Sequence, residues 1–161
     1  MTEKMLVIDP DKCIGCRTCE MVCSLKHTDG CSETRSRVRV ITQKTQDNSL
    51  PIMCQHCEKP LCQEVCPAKA TYRDLTTHAM IIDKDKCLGC KMCIIACPFG
   101  APSFDPVDRV TIKCDLCEGD PECVKLCPSE TLKFVRADKI GIMEKRMGLE
   151  KLFKTISVLI G

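Results

Sequence analysis

Cys87-Leu88-Gly89-Cys90-Lys91-Met92-Cys93-Ile94-Ile95-Ala96-Cys97-Pro98 is the stretch that decides the fold. Its spacing is C-x2-C-x2-C-x3-C-P. Three closely spaced thiolates on a tight loop can wrap one face of a [4Fe–4S] cube. The fourth cysteine lies four residues after the third, on the same face of a short helix and one turn away. Its thiolate therefore points away from the first three and serves a second cluster. Gly89 stands where backbone passes close to inorganic sulfide. Pro98 stops the helix, because it has no N–H and forces the residue before it to be extended.

The same frame recurs on either side. Upstream lie Cys54, Cys57, Cys62 and Cys66, followed by Pro67, and before them Cys13, Cys16, Cys19 and Cys23. Downstream lie Cys114, Cys117, Cys123 and Cys127, followed by Pro128. The first motif keeps the third's spacing and has its own glycine, Gly15; the second and fourth widen the middle gap. Ser24 stands where the other motifs have proline, so the first helix is free to run on through Leu25 and Lys26. One supersecondary unit is repeated along the chain. Cys31 is left over and reads as a free loop thiol.

Composition agrees. The 161 residues include 17 Cys, only 3% aromatics and no Trp, so the ordinary apolar core is thin and a sulfur-bound group must fill the interior. With 24 basic and 22 acidic residues the net charge is +2, which excludes the strongly basic stripe of a nucleic-acid-binding domain. The N-terminus has no secretory pattern, and the apolar run at residues 156–160 is too short to span a bilayer. We therefore expect a cytoplasmic protein without a transmembrane segment, in which so many thiols bind metal rather than form disulfides. Zinc is the alternative ligand, but it pairs two knuckles a dozen or more residues apart, and only the fourth motif could hold zinc alone.

Between the motifs the pattern is strand-like. Residues 70–73 and 80–83 flank polar Thr76-Thr77-His78 and predict a hairpin, and residues 102–104 and 109–112 predict a second. Residues 5–8 and 132–135 read as single strands, and 37–40 alternates with period two. The expected fold is α+β: two interleaved ferredoxin-like units of the bacterial two-[4Fe–4S] type, with short helices and β-hairpins, occupying residues 1–140. Residues 141–161 are expected to form a C-terminal docking helix, with Leu149, Leu152, Phe153, Ile156 and Leu159 or Ile160 on one amphipathic stripe that would cover the domain's own core or dock on a partner, with a membrane surface the remote alternative.

Of the histidines, His56 lies between Cys54 and Cys57. It reads first as a loop residue facing solvent or a partner, the alternative being a hydrogen bond to cluster sulfur that raises the potential. His27 and His78 have no assigned role. No Ser–His–Asp set, carboxylate pair or phosphate-binding loop stands out, so the chain is not read as an enzyme. Acidic residues crowd the fourth motif, at Asp115, Glu118, Asp120 and Glu122. Lys86 and Lys91 accompany the third, and Lys12 and Arg17 the first. Carboxylates oppose an added electron, so the fourth motif's cluster is expected to have the lowest potential.

Residues 5–135, through all sixteen motif cysteines, resemble the four-cluster ferredoxin-like [4Fe–4S] electron-transfer subunits of anaerobic oxidoreductase complexes. The run from Cys19 to Ser24 with His27, and then Ser36-Arg37-Val38-Arg39-Val40, looks most like the subgroup beside tungsten aldehyde-oxidoreductase-type subunits. The resemblance implies that the first motif pairs with the fourth and the second with the third. One cluster is then held by Cys13, Cys16, Cys19 and Cys127, and its neighbour by Cys114, Cys117, Cys123 and Cys23. The inner two are held by Cys54, Cys57, Cys62 and Cys97, and by Cys87, Cys90, Cys93 and Cys66. It also implies a larger catalytic subunit of tungsten or molybdenum pterin type as partner, with a further redox subunit or a soluble ferredoxin at the other end. The alternatives are a freely diffusing polyferredoxin and a zinc-stapled interaction module.

Overall fold

The computed structural model describes residues 4–43 and 48–141. Among the described residues, eight short strands pair antiparallel into four ribbons. β1 (Lys4–Ile8) pairs with β8 (Leu132–Arg136), and β2 (Arg39–Gln43) with β3 (Asn48–Ile52). β4 (Thr71–Arg73) pairs with β5 (Met80–Ile82), and β6 (Ser103–Asp105) with β7 (Val110–Ile112). The two hairpins stand where alternation placed them. Their turns use one device, an aspartate that accepts backbone N–H groups two and three residues on. Asp74 accepts from Thr76 and Thr77, and Asp105 from Val107 and Asp108.

Two pairings are additions to the sequence reading. The strands at 5–8 and 132–135 are not single; they pair with each other, and the ladder continues through Asp9 N–H to the Thr131 carbonyl at 2.8 Å. The strand expected at 37–40 begins at Arg39 and has a partner, β3, that contains Pro51. Proline is tolerated there because a two-stranded ribbon leaves each strand one edge that need not donate.

Each motif carries a helix: α1 (Thr18–His27), α2 (Leu61–Glu64), α3 (Met92–Ala96) and α4 (Glu122–Lys125). The last three end just before their Cys-Pro. α1 runs on for ten residues because Ser24 keeps the chain helical. The Ser24 hydroxyl donates to the Met21 carbonyl at 2.9 Å and accepts from Ser32 N–H at 3.0 Å, pinning the returning loop.

α1 packs on α4, and α2 on α3. The hydrophobic core lies at the first of these contacts. Its buried members are Cys23, Val38, Met53, Cys123 and Leu132, with Cys19, Cys114 and Cys127 packed against them. Residues 137–141 are helical. The stripe from Leu149 to Ile156, and nearly all of the docking helix expected at 141–161, lie outside the described residues.

Candidate iron–sulfur centres

The four motif loops share one backbone turn. The residue before each second cysteine is left-handed: Gly15 at φ 70°, His56 at 49°, Gly89 at 64° and Leu116 at 62°. Such a turn bends the first two thiols toward a common point, and it favours glycine. For Gly89 the structure supplies a steric reason beside the expected approach to sulfide: an added Cβ would run into the Arg109 carbonyl. At Gly15 it would meet Ser49 Oγ at 2.6 Å. His56 and Leu116 adopt the same turn with side chains and line one shared cavity.

Packing of α2 on α3 gathers two cysteine sets. Cys54, Cys57, Cys62 and Cys97 line one cavity of about 370 Å³. Cys66, Cys87, Cys90 and Cys93 line another of about 320 Å³. Each set takes three cysteines from one motif and the fourth from the other. Packing of α1 on α4 gathers the rest. Cys19 lies close enough to Cys16 and Cys127 to feel their charge, and Cys114, Cys117 and Cys123 all feel Cys23. Cys13 is half-buried on the loop that carries Cys16. Cys31 is exposed and joins no set.

The donor chemistry fits an inorganic cluster better than single ions. Zinc at about 2.3 Å from each sulfur would draw four thiolates to about 3.8 Å from one another. Among the described residues no three cysteine sulfurs lie within 4.8 Å of each other. Sets of four soft sulfurs that do not close on a single point suit a [4Fe–4S] cube. Burial, followed by neighbouring negative charge, pushes the Cys19 and Cys123 thiols up to about 12. Half-buried Cys114 is raised for the same reasons. These thiols are held protonated while free; a bound metal deprotonates its thiol ligands outright.

Other donors reach the sulfurs. Backbone N–H groups of Arg37, Ala70 and Thr111 donate to Cys23, Cys66 and Cys87 at 3.3, 3.3 and 3.5 Å. Thr18 Oγ1 donates to Cys16 Sγ at 3.4 Å. Cys66 and Cys127 each close a motif before Cys-Pro. Burial pushes both thiols up, but several backbone N–H groups outweigh it and hold them below the ordinary thiol range.

The histidines and the charged loops depart from the sequence reading. His56 is not a solvent-facing loop residue. Its Nδ1 accepts from Met80 N–H at 3.0 Å, its Nε2 is buried without a partner, and burial with nearby Lys113 and Arg73 lowers its pKa to about 4. His27 is not idle either: its Nε2 lies 3.7 Å from Cys117 Sγ and 3.4 Å from Asp115. The acids of the fourth motif are largely paired, Asp115 with Arg37, and Asp120 and Glu122 with Lys125. The bases of the other motifs are engaged too: Lys12 with Asp9, Arg17 with Glu33, Lys86 with Asp83, and Lys91 over the Phe104 ring at 4.1 Å. The premise that bare carboxylates depress the fourth motif's cluster therefore falls, leaving Glu118 as the acid without an ion pair among the described residues.

Known proteins share this framework. Residues 45–137 match the 4Fe-4S dicluster domain, and residues 4–25 match a 4Fe-4S binding domain. The thiosulfate reductase electron transfer subunit PhsB of Salmonella typhi is 31% identical over 93% of this chain and 84% of its own. The polyferredoxin-like subunit of the aliphatic sulfonate oxidoreductase of Pyrococcus furiosus is 38% identical over 76% of this chain and 70% of its own. In solved structures, a chain of the active site complex BamBC of benzoyl coenzyme A reductase aligns with a TM-score of 0.51 at 27% identity, over 96% of this chain and 91% of that one. With a cysteine framework of this kind and relatives that span its length, the chain belongs to the 4Fe-4S dicluster-domain family of ferredoxin-like iron–sulfur proteins.

Proposed function

We propose that this chain is the electron-relay subunit of an oxidoreductase complex and carries four [4Fe–4S] clusters. The observation that carries the proposal is the gathering of cysteines in fours across α2–α3, three from one motif and one from the other. In the α1–α4 half, Cys13, Cys16, Cys19 and Cys127 hold one cluster, and Cys114, Cys117, Cys123 and Cys23 hold the next. In the other half, Cys54, Cys57, Cys62 and Cys97 hold one, and Cys87, Cys90, Cys93 and Cys66 hold the other. The clusters supply one-electron chemistry. The protein supplies spacing, burial and hydrogen bonds to sulfur. No substrate chemistry is assigned to the chain itself.

The partner is a larger catalytic subunit, of tungsten or molybdenum pterin type, with a soluble carrier or second redox subunit at the far end. One surface feature and one feature of the sequence support docked partners. Cys16 and Cys90 are the exposed ligands of their motifs, and apolar Ile14 and Leu88, two residues before them, are 69% and 72% exposed. Exposed apolar groups beside a redox centre mark a contact surface. The C-terminal stripe at Leu149, Leu152, Phe153 and Ile156 adds a candidate docking element. Among the described residues no helix is long and apolar enough to cross a membrane.

Affinity purification of the tagged chain from anaerobic cells tests this reading. Recovery of a larger pterin-containing subunit supports it. Recovery of the chain alone, competent to exchange electrons with soluble enzymes, favours a freely diffusing polyferredoxin.

A further inference from the structure

Many charges on the motif loops are engaged in pairs, but among the described residues one buried cation is not. Lys113 follows β7 and immediately precedes Cys114, and it is 3% exposed. Its Nζ donates to Cys62 Sγ at 3.6 Å and it lines the cavity of Cys54, Cys57, Cys62 and Cys97. Among the described residues it forms no ion pair, and Cys62 Sγ is the acceptor of its hydrogen bond. A buried ammonium is costly without a compensating negative charge. Here only the thiolates around the cavity offer one. The lysine also spans the two halves of the molecule: its backbone leads into the Cys114 set, while its side chain ends in the Cys54 set.

We propose that Lys113 sets the reduction potential of the centre held by Cys54, Cys57, Cys62 and Cys97, and makes it the resting place of an electron that crosses between the halves. The proposal rests on the four-cluster reading above. With clusters bound, an electron passing from one half to the other would oxidise the group held by Cys114, Cys117, Cys123 and Cys23 and reduce the one held by Cys54, Cys57, Cys62 and Cys97. No bond breaks and no proton moves. The receiving centre gains one negative charge beside a fixed positive one, in an interior where charges are weakly screened. Arg73 adds positive charge from the loop side, its guanidinium donating to the carbonyls of His56, Cys57 and His78. His56, neutral at pH 7, adds none. Lys113 acts through the cluster's surroundings and is a positioning residue.

The test compares full-length wild type with Lys113→Met, which keeps the apolar stem and removes the charge, and Lys113→Arg, which keeps the charge. Iron and acid-labile sulfide are measured first, then potentials by titration followed by electron paramagnetic resonance. In Lys113→Met one of four transitions should fall by at least tenfold in its reduction equilibrium, which is 59 mV for one electron. The other three should hold, Lys113→Arg should restore most of the shift, and added salt should not abolish it. Should Lys113→Met lose iron, Lys113→Gln keeps a donor to Cys62 without charge, and the same fall is expected. A full cluster complement with unchanged potentials overturns the proposal. So does loss of iron in all three variants, which would make the lysine structural. A wild type that never holds four clusters instead overturns the underlying reading, and the iron count separates the two failures.

Discussion

Arg37 joins the end of the first motif to the loop of the fourth: its guanidinium grips the carboxylate of Asp115, 78 residues away, and its backbone N–H donates to Cys23 Sγ at 3.3 Å. Both contacts serve the centre assigned to Cys114, Cys117, Cys123 and Cys23. One side chain therefore cancels the nearest carboxylate, while the same residue's backbone holds the crossing ligand.

Arg37→Met should leave the partly buried Asp115 with His27 and the Cys117 N–H as its remaining partners, at a cost of about 1–3 kcal/mol. The double variant with Asp115→Asn should lose less than the two single losses combined. Burial pushes Asp115 up, but Arg37 and His27 outweigh it and hold the carboxyl below its ordinary range. The pair's contribution is then fully present above a pH of about 4 and lost as pH falls through the lower folded value. Urea midpoints measured across that range should fall with acid less steeply in Arg37→Met than in wild type.

His56 predicts a second pH dependence. Its folded pKa, near 4, lies below the unfolded value of 6.5, so the unfolded chain binds the extra proton first. Stability should be complete above pH 6.5 and should decline as pH falls toward 4. His56→Leu should flatten that decline, measured as the difference in urea midpoint between pH 7 and pH 5. An unchanged slope would mean that the imidazole is not buried neutral.

Two glycines with similar backbones separate sterics from conformation. Gly100, at φ 61°, has open space where a Cβ would go, whereas a Cβ on Gly89 would strike the Arg109 carbonyl. Gly100→Ala should cost about 1–2 kcal/mol, the left-handed penalty alone. Gly89→Ala should cost at least about 1 kcal/mol more, because the β6–β7 turn must give way. Thermal midpoints of the two variants make the comparison.

The crossed ligation has its own test. Cys66→Ser should damage the centre of Cys87, Cys90 and Cys93 and spare that of Cys54, Cys57 and Cys62. Resonance spectra of the reduced protein should lose one component, and the potential sensitive to Lys113 should survive. Loss of that component instead would reverse the pairing.

What the sequence made legible was local. The cysteine frame was readable because ligand spacing is set within one loop and one helical turn, and the hairpins at 71–82 and 103–112 because two strand-like runs flanking a short turn are a short-range signal. Ser24 in place of proline announced the longer α1. Long-range consequences were not readable. The β1–β8 pairing joins the ends of the described chain, and β3 was masked by Pro51. The acids of the fourth motif looked bare because Arg37, the partner of Asp115, lies 78 residues away. His56 looked like a loop residue because nothing near it in sequence shows that Met80 N–H closes over its ring.

The central claim is that the cysteine sets hold four iron–sulfur cubes and not single ions. Metal and acid-labile sulfide analysis of anaerobically purified full-length protein tests it most directly. The account predicts about sixteen irons and as many sulfides per chain, four for each cube, with zinc at trace level. Stoichiometric zinc with little iron and no labile sulfide would contradict it.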